Sequence, residues 1–593
     1  MRKMKFLSLG LSALMAITMI GCGESAPAGT TTGGGGGGTA AATESGGGSG
    51  GETANTPDYI RNDLGPSSFF IQDTKIELSD AEKQKIIADH TDANGKTFVT
   101  IALVDDPGSL CAYGSGASKV RSVLLPIVYQ PLFARDKLGM KEPAPVIGES
   151  WEYVGENPNG GFDWTVKIKE NVYDSAGNHI TAEDVVFSIW EIGVGKYNAQ
   201  LGSWCTNMEV VDEYTFKATM TVDGFMTLDV RLLSGNNYVF SKAAYEASPD
   251  GMITSPVGTG PYVLTKWETG STLTFEKNEN AWWVAANDMT ISREMQNVDK
   301  INFKVIKDSA QRTIALEAGE IDYLTSVEET DLVQFQDPAK FTIADSLASQ
   351  RDTLYFNASE KGNISDVRVR QAICYAIDNE AIILGAVNSG VLCYTVGPTT
   401  ASAYNKKWET EDYYNYNPDK ARELLKEAGI KDGELTVVIM TENAPAYNTR
   451  VAEIIQGYLE EVGVKAELKP VDGALFSEYK YDPTSSDIII ATTGGNADYL
   501  APSYCSNDYR TKGETTGLTH LDNPEWTDLQ ERAMVAGDGS QLVEDCHYYI
   551  KDNVYGYALF SATLHTVVTP VITEVRLLTG FEVPGANKYL WNE

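Results

Sequence analysis

Basic residues are scarce in this chain. Lys and Arg total 47 against 82 Asp and Glu, a formal charge of −35. A surface this acidic repels phosphate backbones, so nucleic acid is excluded as a partner, and anionic lipid head groups make a poor docking surface. Solubility alone accounts for such a charge, and a preference for cationic or amine-bearing ligands is the second reading. Histidine is rarer still. His90, His179, His520, His547 and His565 are scattered, without metal-ligand spacing and without an H-E-x-x-H. A phosphate-cradling loop is missing too: Gly193-Val194-Gly195-Lys196 runs into Tyr197 and has no earlier glycine at the required spacing. Gly258-Thr259-Gly260 lacks the third glycine of a dinucleotide fingerprint, and there is no G-x-S-x-G. No metal, cofactor or catalytic residue is expected from these absences. Carboxylate pairs always occur among 82 acidic residues, so a hydrolase stays open as an alternative on negative grounds alone.

What is present begins at the N-terminus. Arg2, Lys3 and Lys5 precede the uncharged apolar run 6–20, then Gly21 and Cys22. A basic stretch, an apolar stretch and a small residue describe a secretory signal, and a run of about 15 residues falls short of the ~20 needed to span a bilayer. Met19-Ile20-Gly21-Cys22 resembles the lipobox of bacterial lipoproteins, with Met19 where Leu is usual. The resemblance implies cleavage after residue 21, diacylation of Cys22, and a protein held to the outer face of the cytoplasmic membrane. Residues 22–58 include six consecutive glycines at 33–38 and almost no large apolar side chain. Such a segment cannot bury enough surface to offset its ordering entropy, and as a random coil it reaches about 33 Å.

About 535 residues follow this tether, and single cores stop growing near ~250–300 residues, so at least two lobes are expected. Beyond Cys22, six cysteines remain: Cys111, Cys205, Cys374, Cys393, Cys505 and Cys546. They permit 15 pairings, so disulfide connectivity stays open, and Cys374 fits a buried free thiol equally well. Ser79 and Glu82 have capping-box spacing and predict a helix over 79–90. Residues 97–104, 164–168 and 214–220 read as strands, and 181–190 as a helix capped by Thr181. Strand 435–441, helix 450–462, strand 464–471 and strand 486–493 then indicate an α/β lobe.

Eight segments in order along the chain resemble solute-binding proteins of the peptide/nickel class that serve ABC importers. They are Pro145–Trp151 (PVIGESW, with Gly148 where Ala is usual), Trp164–Tyr173 with Asp174 and Gly177, and Thr181–Ser188 (TAEDVVFS). Gly258–Tyr262 (GTGPY) with Trp267 and Asn278, Ala315–Asp322 (ALEAGEID), Phe356-Asn357, Val367–Ile373 (VRVRQAI) with Tyr375–Asp378, and Ala421 with Leu424-Leu425 and Ala428-Gly429 complete the set. Most are structural in kind: Thr181 reads as a helix cap and Gly260-Pro261 as a turn.

The resemblance implies a two-lobed α/β periplasmic-binding-protein fold (type II, large cluster) with an extra subdomain in the first lobe. The expected boundaries are 59–350 for the first lobe, with the subdomain at about 121–235, 351–554 for the second, and 555–593 returning to the first. Ligand would bind between lobes that close about a hinge. Gly494-Gly495-Asn496-Ala497-Asp498-Tyr499 with Pro502 looks like the G-W-x-A-D-Y-x-x-P loop of oligopeptide-binding members, Gly495 replacing Trp. By that likeness Asp498 pairs with a peptide α-amino group, Gly494 and Asn496 offer backbone contacts, and Ala497 and Tyr499 complete the loop. Asp498 also fits a plain loop-capping role. In the facing lobe the positional match is 113–119, with Tyr113, Ser118 and Lys119 as candidate contacts. Trp204 and Tyr504 are candidates to line the cleft, with core as the favoured reading. The function implied is capture of an oligopeptide, or alternatively an oligosaccharide, by a monomeric receptor that hands it to an ABC permease; a nickel-chelate or haem receptor is disfavoured by the scattered histidines.

Overall fold

Alternation builds the first strand of the main sheet. In Phe98–Leu103 (β1), Val99, Ile101 and Leu103 are buried while their neighbours are half-exposed, the period-2 signature of a strand with one packed face. The structure is a computed structural model. It describes residue 60 and residues 69–593 apart from 75, 114–117, 136–141, 198, 203, 234–236, 287–293, 349, 400, 402, 444, 494–498, 505–516, 579–580 and 583. Cys22, the expected signal before it and the expected tether over 22–58 therefore lie outside the described residues. Thr56–Glu593 forms one compact unit.

The sheet adds β2 (Tyr262–Glu268), β3 (Thr272–Lys277), β4 (Lys300–Val305), β5 (Tyr323–Val327), β6 (Thr342–Leu347), β7 (Arg351–Phe356), β8 (Gly390–Leu392), β9 (Thr436–Glu442), β10 (Lys465–Val471), β11 (Ile488–Thr493) and β12 (Gly556–Val568). The order is β2-β3-β4-β1-β5-β12-β7-β11-β9-β10, with β6 and β8 also on β12. β1 is parallel to β4 and β5, and β9 is parallel to β10 and β11. The 13-residue β12 serves two groups of strands. Up to Ala562 it pairs with β7 and β8; from Thr563 it pairs with β6, and from His565 also with β5. The chain also passes between the groups from Leu347 to Arg351. Ile60, counted with the first lobe on sequence, bridges Gly390 in the second group.

A separate four-stranded antiparallel sheet is made by Gly148–Glu156, Phe162–Ile168, Thr215–Met220 and Cys205–Asp212, in that order. Its buried residues, such as Trp164, Val166 and Phe216, share one apolar cluster with Tyr504, Trp526 and Met534 from the later part of the chain. Trp204 and Tyr504 are core, as read from sequence. Gly224 shows how close this contact is: a Cβ there would sit 3.1 Å from Cα of Val535.

The motif segments find structural employment. Ser79 caps the helix Asp80–Asp89 in a reciprocal box with Glu82. Asp184 of TAEDVVFS accepts from the N–H and hydroxyl of Thr181 (2.8 and 3.0 Å) and from the N–H of Lys242 (2.8 Å), tying down two helix starts. The predicted helix there is α-helical only over Ala182–Val185 and continues as a π-helix to Tyr197. Arg370 of VRVRQAI donates to the carbonyls of Asn553 and Val554, closing the helix Gln541–Asn553, and to those of Ile364 and Ser365. Asp322 of ALEAGEID accepts from Thr100 N–H and lies 2.9 Å from His90 Nε2. Gly148 is glycine because the Phe133 ring fills the space: a Cβ would lie 2.2 Å from it.

Cys205, Cys374 and Cys393 are free thiols in the interior, and Cys111 and Cys546 are buried too. Burial pushes the Cys205 thiol up to about 12 and the Cys393 thiol up to about 11, so both stay protonated and unreactive.

Candidate functional site

In open α/β sheets ligands collect outside the carboxyl ends of parallel strands. Here β9 and β11 run parallel, and β11 leads from Ile488–Thr493 directly into 494–498. Gly494, Asn496, Ala497 and Asp498 themselves lie outside the described residues; their two flanks do not.

The upstream flank rests on β7, whose Arg351 and Asp352 pair with Thr493 and Thr492. Asp352 is 3% exposed, and Tyr447, opening the helix Tyr447–Glu461, donates to it over a long 3.5 Å. Burial raises the Asp352 carboxyl to about 7, and the same burial, with the adjoining Asp352, drives the Tyr447 phenol above its ordinary range. Arg351 donates from Nε to the Val396 carbonyl at 3.1 Å. The strand end that leads into 494–498 therefore pairs with a strand carrying two buried charged residues, Arg351 and Asp352.

The downstream flank is held by side chains from two distant segments. Asp538 accepts from the N–H groups of Leu500 and Ala501 at 2.8 and 3.0 Å, capping the short helix Leu500–Tyr504. Tyr499 is 8% exposed, and its phenol oxygen lies 2.5 Å from a guanidinium nitrogen of Arg135. Arg135 also covers the Tyr499 ring, 4.7 Å from its centroid, and forms a buried ion pair with Asp229.

The facing segment is built on a buried base. Arg121 donates to the carbonyls of Cys111 and Ala112 (2.6 and 3.1 Å), and Leu110 N–H donates to Ile253. The Tyr113 ring packs by Phe240, and its hydroxyl donates to the Tyr238 carbonyl at 3.0 Å. Its phenol is therefore spent on the core, where the sequence reading placed it at the ligand. Ser118 and Lys119 open the helix Ser118–Val128; their side chains are outside the described residues.

The groups that hold the two flanks were not expected from the sequence. Arg135, Asp229, Asp352 and Asp538 belong to none of the motifs. The one available signal was an arginine closing the apolar stretch 131–134 (PLFA). Among the described residues no group of three or more His, Cys, Asp or Glu could hold a metal ion, and no helix is long and apolar enough to cross a membrane.

Residues 142–517 match the bacterial extracellular solute-binding proteins, family 5, middle region. Among relatives, the dipeptide-binding protein of Escherichia coli K12 is 24% identical over 389 residues, covering 61% of this chain and 70% of its own. Heme-binding protein A of Haemophilus influenzae is 24% identical over 428 residues, covering 67% and 74%. Among solved structures, NikA of Brucella suis with Fe(III)-EDTA superposes with a TM-score of 0.68 at 22% identity, covering 83% of this chain and 99% of that one. AppA of Bacillus subtilis with a nonapeptide gives 0.62 at 18%, covering 80% and 95%. The fold is therefore the two-lobed type II binding-protein fold, with β12 and the Leu347–Arg351 passage linking the lobes. With the family matched across most of its length, this chain belongs to the family 5 extracellular solute-binding proteins, the substrate receptors of ABC importers.

Proposed function

We propose that this receptor captures an oligopeptide or another amine-bearing solute, with the Asp498 carboxylate pairing to the ligand's ammonium. The observation that supports the reading is that β11, parallel to its neighbour β9, leads into 494–498, and that the described residues before and after that segment are held by buried polar groups. A carboxylate desolvated as lobes shut selects for an ammonium, because burying it unpaired is unfavourable. Dipeptide-, di/tripeptide- and oligopeptide-binding relatives support the class. Gly494 and Asn496 would add backbone contacts, and the receptor would act without chemical turnover. In calorimetry with trialanine, Asp498→Ala is expected to weaken binding at least about 30-fold, the lower end for truncating one partner of a buried charge pair. N-acetyl-trialanine should bind the parent as poorly. An unchanged affinity in the variant would sink the amine anchor.

We infer also that Cys22 carries lipid and that 22–58 is a leash, on the strength of the basic and apolar leader and the glycine run. Confinement at the membrane raises the receptor's effective concentration at its permease. Cys22→Ala is expected to move the protein from the membrane pellet to the soluble fraction; retention in the pellet would refute the anchor.

A further inference from the structure

Among the described residues, Arg135 and Asp229 form a buried ion pair whose guanidinium also reaches Tyr499. Arg135 follows the strand Phe133–Ala134, and Asp229 begins the π-helical turn Asp229–Leu233. Their side chains are 4% and 0% exposed. A guanidinium has an edge for carboxylates and a face for aromatic rings. Here the edge meets Asp229, the face covers the Tyr499 ring at 4.7 Å, and a nitrogen lies 2.5 Å from the Tyr499 hydroxyl. Position 499 is 364 residues away in sequence. It is also the first described residue after the loop, and its carbonyl accepts from Ser503 Oγ at 3.2 Å.

We propose that Arg135 is a positioning residue for ligand capture: it fixes Tyr499, and with it the start of the helix Leu500–Tyr504, from the other half of the chain. The proposal rests on the reading of the preceding loop as the ligand site. Asp229 sets the guanidinium, the guanidinium sets the phenol, and Asp538 holds the next two N–H groups. Residues Tyr499–Ala501 are then fixed in position before ligand arrives, so less ordering is left to oppose binding. Arg135 acts through Tyr499 and takes no ligand carboxylate itself, because its charge is already matched by Asp229 in a site closed to solvent.

The test uses the full chain and two conservative variants. Arg135→Lys keeps the charge opposite Asp229 and loses the planar fork; Tyr499→Phe keeps the ring and loses the hydroxyl. In ligand-free protein, hydrogen exchange at the amides of Leu500 and Ala501 is expected to quicken about 10-fold in either variant, the worth of one hydrogen bond to a charged group. Amides of the helix Gln541–Asn553 should keep their parent rates, which a general loss of stability would not allow. With trialanine as probe, each variant should bind about 10-fold more weakly, and the double variant no more weakly than Arg135→Lys alone, since both remove one interaction. Unchanged exchange at Leu500 and Ala501, or effects on affinity that multiply in the double variant, would overturn the proposal. Absence of trialanine binding by the parent, with the exchange effect intact, would instead overturn the peptide reading and leave the role of Arg135 standing.

Discussion

Asp229→Ala is expected to lower the free energy of unfolding by about 3–5 kcal/mol, because it leaves a guanidinium charge in the interior without its carboxylate. Both side chains are almost wholly excluded from solvent, at 4% and 0% exposure. An exposed pair such as Lys85–Asp89 contributes under ~1 kcal/mol, and its removal is the contrasting control. Urea denaturation followed by circular dichroism and by tryptophan fluorescence gives the value, provided the two probes coincide. Replacing both partners, Arg135→Met with Asp229→Ala, should recover much of the loss, since it removes the stranded charge rather than one half of a pair. If the single variant loses under about 1 kcal/mol, the pair is not desolvated as the geometry requires.

Gly258→Ala should be of similar severity for a different reason. A Cβ at position 258 would lie 2.0 Å from the Val128 carbonyl oxygen, and one at 260 would lie 2.5 Å from the Val128 carbonyl carbon. These are main-chain atoms ending the helix Ser118–Val128, so no side-chain rotation relieves the overlap. A loss of at least about 3 kcal/mol follows, the upper end for overpacking. Gly457→Ala is the internal control: nothing lies within 4 Å of that added Cβ, and it is inside the helix Tyr447–Glu461, so it should stabilise by about 1 kcal/mol. Differential scanning calorimetry of the two variants side by side decides the matter, and a Gly258→Ala melting point equal to the parent's would contradict the packing.

The same glycines mark where sequence reasoning fell short. Gly260-Pro261 reads as a turn, yet neither Gly258 nor Gly260 has a positive φ. Their reason is close approach to a helix more than a hundred residues earlier, which no local pattern reveals. Strands with alternating burial were legible, and their edges less so. Phe162–Ile168 begins before residue 164 because Asp163, a poor strand former on its own, is satisfied by Asn157 Nδ2 at 3.0 Å and Thr219 Oγ1 at 2.7 Å. The helix predicted from 450 starts at Tyr447, since Ala446 supplies no side-chain cap to read. The proposed ligand loop could be read because its motif is contiguous in sequence. Arg135 could not, because what gives it meaning is Tyr499, and that distance is closed only by the folded chain.

The double membership of β12 has a consequence for the order of synthesis. This strand, Gly556–Val568, is central to the whole sheet and is translated after every other strand in it. Neither lobe's sheet can be completed until it emerges from the ribosome. At ~5–20 residues per second, about 25 seconds to a minute and a half separates the first residue of β1 from the last of β12. For that interval the nascent chain is kept from its native state by its own topology.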